Sequence, residues 1–159
     1  MDKVRFGIIG TGVRANFCAN GLKLIANKQI AELIAVTSRG ERRAKEFASK
    51  WSLKYWYTDY RRMIQEVPID AAIINTPHYQ HYPMALDAID YDKHVLVDKP
   101  MAINLREADE MISKARRKNV KLGVILQSRF DPTIRKVKEN ADSAIYKSAK
   151  DNSVVKFPL

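Results

Sequence analysis

Six short, mostly apolar runs alternate with stretches of helical periodicity, and that rhythm leaves few folds open. The runs are residues 4–9, 30–36, 55–57, 70–75, 94–97 and 122–126, rich in Val and Ile and of strand length. Between them, Val13, Phe17, Leu24 and Ile25 fall on one helical face, the pattern of a stripe turned toward a core. Ala44, Phe47, Ala48 and Trp51 repeat at helical spacing. Asp59 is placed to cap a brief helix carrying Met63, Ile64 and Val67. Pro83 suits the first turn of a helix with Ala85, Leu86 and Ile89. Asn104 with Glu107 reads as a capping box before Leu105, Ala108, Met111, Ile112 and Ala115. Asp131-Pro132 opens a last helix with Ile134 and Val137 on one side. Strands alternating with helices predict an α/β fold, a doubly wound parallel sheet of about six strands with helices on both faces. At 159 residues the chain fits one domain, predicted over residues 1–139, and residues 140–159 lose the pattern and are expected to be a weakly ordered C-terminal tail.

The turn between the first strand and the first helix carries chemistry. Gly10-Thr11-Gly12-Val13-Arg14-Ala15 is G-x-G-x-x-A. The first glycine serves a tight turn, the second lets backbone approach a pyrophosphate, and the small sixth residue lets helix pack on strand. Amides at the helix start would then face the anion. The strand–turn–helix context is what gives this short motif weight. Gly10, Thr11, Gly12, Val13 and Arg14 are therefore expected to bind a dinucleotide cofactor.

A carboxylate at the end of the second strand would bind the ribose 2′-hydroxyl of NAD. Thr37-Ser38-Arg39 supplies none. Ser38 can donate to a phosphate oxygen and Arg39 can grip one as a fork, with Arg43 one turn further on. These residues predict NADP as cofactor, with NAD as the alternative.

Charge and cysteine content narrow the partners. Lys plus Arg is 28 and Asp plus Glu is 18, a net charge of +10 that favours phosphate-bearing partners. The basic clusters, among them Arg42-Arg43 and Arg116-Arg117-Lys118, fall on predicted helix exteriors without any nucleic-acid motif, so nucleic acid is set aside. The single cysteine, Cys18, excludes a disulfide within the chain or a cysteine-built zinc site. His78 and His81 lack a third ligand of the right type, and no metal is expected. No apolar run approaches membrane length and the start lacks a signal-peptide shape, so a soluble cytoplasmic protein is expected.

An ordered set of motifs carries a resemblance. Gly10-Thr11-Gly12 is followed by Thr37-Ser38-Arg39 with Arg43-Ala44, then Thr76-Pro77-His78-Tyr79-Gln80-His81, His94-Val95-Leu96-Val97-Asp98-Lys99-Pro100 and Gln127-Ser128-Arg129-Phe130-Asp131-Pro132. From about Val4 to Lys138 the chain resembles the N-terminal, NAD(P)-binding Rossmann half of the glucose-fructose oxidoreductase / inositol dehydrogenase / MocA oxidoreductases. His78 stands where the family has Asn, Asp98 where it has Glu, and Asp90-Tyr91-Asp92 where it has a tight A-G-K turn. The family's second, substrate domain has no counterpart in these residues.

The resemblance implies hydride transfer between a nicotinamide cofactor and a sugar, polyol or related small carbonyl. It makes Lys99 the catalytic residue, assisting proton transfer at the substrate hydroxyl. It places Asn75, Thr76, Pro77, His81, Asp98, Lys99 and Pro100 at the carboxyl ends of strands four and five, near the cofactor. The Lys99-Pro100 bond is a candidate for the cis form. The rival reading is a non-catalytic nucleotide-binding module or truncated remnant. Apolar surface near Leu122 and after Phe130, without the family's covering domain, predicts self-association or a partner chain that supplies it.

Overall fold

The computed structural model describes residues 3–26 and 30–151, apart from the side chains of 143–149 and 151. Six parallel strands form one sheet in the order β3-β2-β1-β4-β5-β6. These are β1 (Val4–Ile9), β2 (Ala31–Thr37), β3 (Tyr55–Tyr57), β4 (Ala71–Ile74), β5 (His94–Asp98) and β6 (Leu122–Ile125). The helices are α1 (Val13–Ala26), α2 (Glu41–Trp51), α3 (Tyr60–Glu66), α4 (His81–Asp90), α5 (Leu105–Arg117) and α6 (Pro132–Asp151). The chain steps outward from β1 to β3, then returns to lay β4 beside β1, so the strand order reverses between β1 and β4.

Side-chain alternation divides the core. Ile8 and Ile73 join Ala15, Ala19, Leu22, Val36 and Phe47 on the face covered by α1 and α2. Ile9 and Ile74, one residue on, join Met63, Ile64, Ala85, Ile89 and Met111 on the face covered by α3, α4 and α5. Burial on both faces is why these strands are apolar throughout instead of alternating with polar residues. The caps form as expected: Asp59 accepts from the Arg61 N–H at 2.8 Å, and Asn104 from the Glu107 N–H at 2.9 Å. Glu107 reaches back to the Ile103 N–H at 3.3 Å.

The predicted stripe of α1 is on the wrong side. Ala15, Ala19 and Leu22 face the sheet, whereas Val13, Phe17 and Leu24 are 73%, 64% and 68% exposed. Close approach of α1 to the sheet admits only small side chains in its first two turns, and the larger ones are turned outward. The expected boundary at residue 139 also falls inside α6, which runs on to Asp151. That segment has no glycine, and its only proline, Pro132, is at the first helical position, so local propensity carries the helix past the expected boundary. Contacts divide the chain after Ile125, with Leu126 opening the second unit. The end of the expected tail, residues 152–159, lies outside the described residues.

Candidate functional site

The reversal of strand order opens a cleft of about 640 Å³ at the carboxyl ends of β1, β2 and β4. Open α/β sheets take ligands at this place. Its near wall is the turn after β1. Gly10 has φ +110°, a conformation that strains any other residue, and its N–H donates to the Thr37 carbonyl at 2.9 Å. A Cβ on Gly12 would meet no atom within 4 Å, so the chain's own packing does not demand glycine there. The free space is the cradle a pyrophosphate requires. Helix α1 starts at the next residue, and its first amides have no acceptor within the helix.

The second wall is the end of β2. Thr11 Oγ1 donates to Ser38 Oγ at 3.2 Å, joining the glycine turn to this strand end. Arg39 and Arg43 line the cleft and are exposed. Neighbouring carboxylates are taken elsewhere: Glu41 pairs with Lys45 at 2.7 Å and Glu46 with Arg42 at 3.7 Å. Among the described residues neither Arg39 nor Arg43 has an ion-pair partner. Two guanidiniums facing a cleft without a counter-charge suit an anion.

The floor and far wall come from the β4–α4 turn. Asn75, Thr76 and Pro77 line the cleft. Among the described residues the buried Asn75 side-chain amide has no nitrogen or oxygen partner, and the Cys18 thiol, a weak one, stands near it. Burial pushes that thiol above its ordinary range, against the pull of Asn75 and Arg14. Thr58 and Tyr60, which follow β3, complete the rim, as do Gln80 and Met84. Sequence reasoning missed these four; the carboxyl ends of the third strand, for Thr58 and Tyr60, and of the fourth, for Gln80 and Met84, were the available signals. The Tyr60 hydroxyl donates to Asp87, and burial together with that bond raises the phenol well above its usual range.

The remaining expected site residues do not line this cleft. The Val13 side chain points to solvent. Arg14 turns toward Asp98, with Nε 3.4 Å from Oδ2. The Lys99-Pro100 bond is cis, and Lys99 is exposed beyond the end of β5. His81 has no exposed surface at all: its ring nitrogens lie 2.9 Å from the Thr76 carbonyl oxygen and 2.8 Å from that of Pro100. A cofactor contact at His81 does not fit this burial. The ring clasps the two turns that border the ligand side of the sheet.

The cleft, the glycine cradle and the orphaned Asn75 amide fit a dinucleotide, and comparison with known proteins agrees. The chain is 34% identical over 136 residues to mouse trans-1,2-dihydrobenzene-1,2-diol dehydrogenase, covering 86% of this chain and 40% of that enzyme. It is 34% identical over 138 residues to a Bacillus subtilis scyllo-inositol 2-dehydrogenase (NADP(+)), covering 86% and 41%. The solved structure of Lactobacillus casei scyllo-inositol dehydrogenase with NAD(H) and scyllo-inositol superposes with a TM-score of 0.79 at 25% identity, over 90% of this chain and 42% of that one. The chain thus spans well under half the length of these relatives. Among the described residues no helix is long and apolar enough to cross a membrane. A family-wide sequence model for oxidoreductases with an NAD-binding Rossmann fold matches residues 4–126, and with it the chain belongs to the glucose-fructose oxidoreductase / inositol dehydrogenase / MocA family.

Proposed function

We propose that this chain binds NADP(H) in preference to NAD(H) and serves an oxidoreductase acting on a sugar, polyol or related small carbonyl. The observation that carries the preference is the pair Arg39 and Arg43, both on the cleft and without ion-pair partners among the described residues, where an NAD site would have a carboxylate. Gly10, Thr11 and Gly12 with the first amides of α1 would hold the pyrophosphate. Ser38, Arg39 and Arg43 would hold the 2′-phosphate. Asn75, Thr76 and Pro77 would border the ribose and nicotinamide.

The bound dinucleotide would supply the hydride chemistry. Lys99 would hold and release the proton of the substrate hydroxyl at Nζ. The relatives' names, a diol dehydrogenase and inositol dehydrogenases, support a polyhydroxylated or diol substrate class. The share of those relatives that the chain spans favours a second reading for the isolated polypeptide, a nucleotide-binding module with little turnover of its own. Self-association or a partner chain covering β6, whose residues Leu122–Ile125 are all only half-buried, goes with that reading. We place the protein in the cytoplasm.

Titration of Trp51 and Trp56 fluorescence with each dinucleotide tests the assignment. NADPH is expected to bind at least about tenfold more tightly than NADH, a difference of about 1.4 kcal/mol. Equal or tighter binding of NADH would overturn the preference, and binding of neither would overturn the cleft assignment.

A further inference from the structure

We infer that Arg14 is a positioning residue that acts through Asp98 on Lys99, and is not a ligand for the dinucleotide. The inference rests on the reading of Lys99 as the proton-handling residue. Asp98 ends β5 and is only 9% exposed. Its two carboxylate oxygens are shared between two elements: Oδ1 accepts the Lys99 N–H at 2.9 Å, and Oδ2 stands 3.4 Å from Arg14 Nε. A carboxylate so withdrawn from water needs a counter-charge, and Arg14 is the cation beside it. The Arg14 guanidinium also lies 5.8 Å from the centroid of the Phe17 ring, one turn further along the same helix face. The ring and the carboxylate both border the arginine, which does not line the cleft.

The consequence is a link across the top of the sheet. Arg14 belongs to the first turn of α1, directly behind the glycine cradle. Through Asp98 it fixes the backbone of the residue that follows β5. An aspartate here has a shorter arm than glutamate, so carboxylate and Lys99 N–H meet within a single residue step. The backbone bond aims Lys99, and the arginine holds the carboxylate that makes the bond.

Amide hydrogen exchange at Lys99, read by NMR beside the NADPH dissociation constant, separates the two roles. In Arg14→Met, which keeps the length of the side chain without its charge, exchange at Lys99 is expected to rise about tenfold or more, with Ile8 and Val36 amides unchanged. NADPH affinity is expected to fall by less than about threefold. Arg14→Lys should keep Lys99 exchange within about threefold of wild type. Asp98→Ala, which removes the acceptor of the Lys99 N–H, should reproduce the loss of protection, and carries the test if Arg14→Met does not fold. Lys99 exchange unchanged in Arg14→Met or in Asp98→Ala overturns the inference. So does a fall of about tenfold or more in NADPH affinity in Arg14→Met, which would return the arginine to the cofactor. Failure of the wild type to bind NADPH would sink the cofactor assignment instead, and leaves the exchange comparison standing.

Discussion

The backbone carbonyl oxygen of Asn75 lies 2.5 Å from where a Cβ on Gly10 would sit. The turn after β1 and the end of β4 touch only because residue 10 has no side chain. Gly12, two residues on, has nothing within that reach. The two glycines therefore answer to different demands, and substitution should part them. Gly10→Ala combines a positive-φ strain with a backbone clash and is expected to cost about 2–4 kcal/mol of stability. Gly12→Ala should leave the melting temperature nearly unchanged and abolish NADPH binding. Thermal melts and fluorescence titration of the two variants check this; a stable Gly10→Ala would show that β4 can yield.

Arg39→Ala tests the anion end of the cleft. A guanidinium bonded to a phosphate contributes about 1.5–3 kcal/mol. NADPH binding should weaken by that amount and NADH binding should not change. Isothermal titration with both dinucleotides reads the difference. Equal losses would mean that Arg39 shapes the loop instead of gripping the 2′-phosphate.

His81 makes a prediction about the fold. Its ring lies between the carbonyl oxygens of Thr76 and Pro100 and is fully buried. His81→Leu keeps much of the volume but removes the ring N–H that bonds one of the two carbonyls and the polar ring between them. A loss of about 2–4 kcal/mol is expected, read as a lower urea midpoint with an unchanged m-value. An unchanged midpoint would mean that water replaces the ring.

These three cases show what was legible in the sequence. Every strand was, because a sheet covered on both faces demands short apolar runs and Ile8, Ile9, Ile73 and Ile74 supply them. The cradle was legible because its constraints are local to Gly10 and Gly12. The role of His81 was not, since its partners Thr76 and Pro100 stand 5 and 19 residues away and offer backbone oxygens that leave no trace in side-chain identity. The neighbour of Arg14 was hidden for a related reason: only the folded chain brings Asp98 beside it. The start of α6 was legible at Asp131-Pro132, and its continuation past residue 139 was not, because local propensity carries a helix on where the serines and lysines blur the pattern.

Acid stability should carry the mark of Asp70. Arg5 binds this carboxylate through both Nε and Nη2, at 3.0 and 2.8 Å, and also donates its backbone N–H at 2.8 Å. The Arg5 side-chain bonds, with help from the backbone N–H, hold the carboxyl below its ordinary 3.8. A carboxyl with a lowered folded pKa stabilises the fold above the unfolded value, and the contribution fades as pH falls through the folded one. Asp70→Asn should therefore lose stability at pH 6–7, by under about 1 kcal/mol since the pair is partly exposed, and the gap should shrink as pH falls below the ordinary carboxyl range. Urea midpoints of both proteins across that range check the sign; a gap that widens in acid would contradict it.

The outward stripe of α1 gives the last prediction. Phe17 is 64% exposed, whereas Ala19, two residues on, is 1% exposed against the sheet. Were the apolar stripe the packed face, Phe17→Ser would cost several kcal/mol, as core phenylalanine truncations do. With the small-residue face packed, it should cost no more than about 0.5 kcal/mol, the ordinary range for a surface change. Ala19→Leu should instead lose about 1–3 kcal/mol by overfilling the space between α1 and the sheet. The strain would spread to Ile8 and Ile73, which share that cluster. Denaturant midpoints rank the two variants, and a larger loss for Phe17→Ser than for Ala19→Leu would reverse the assignment of faces.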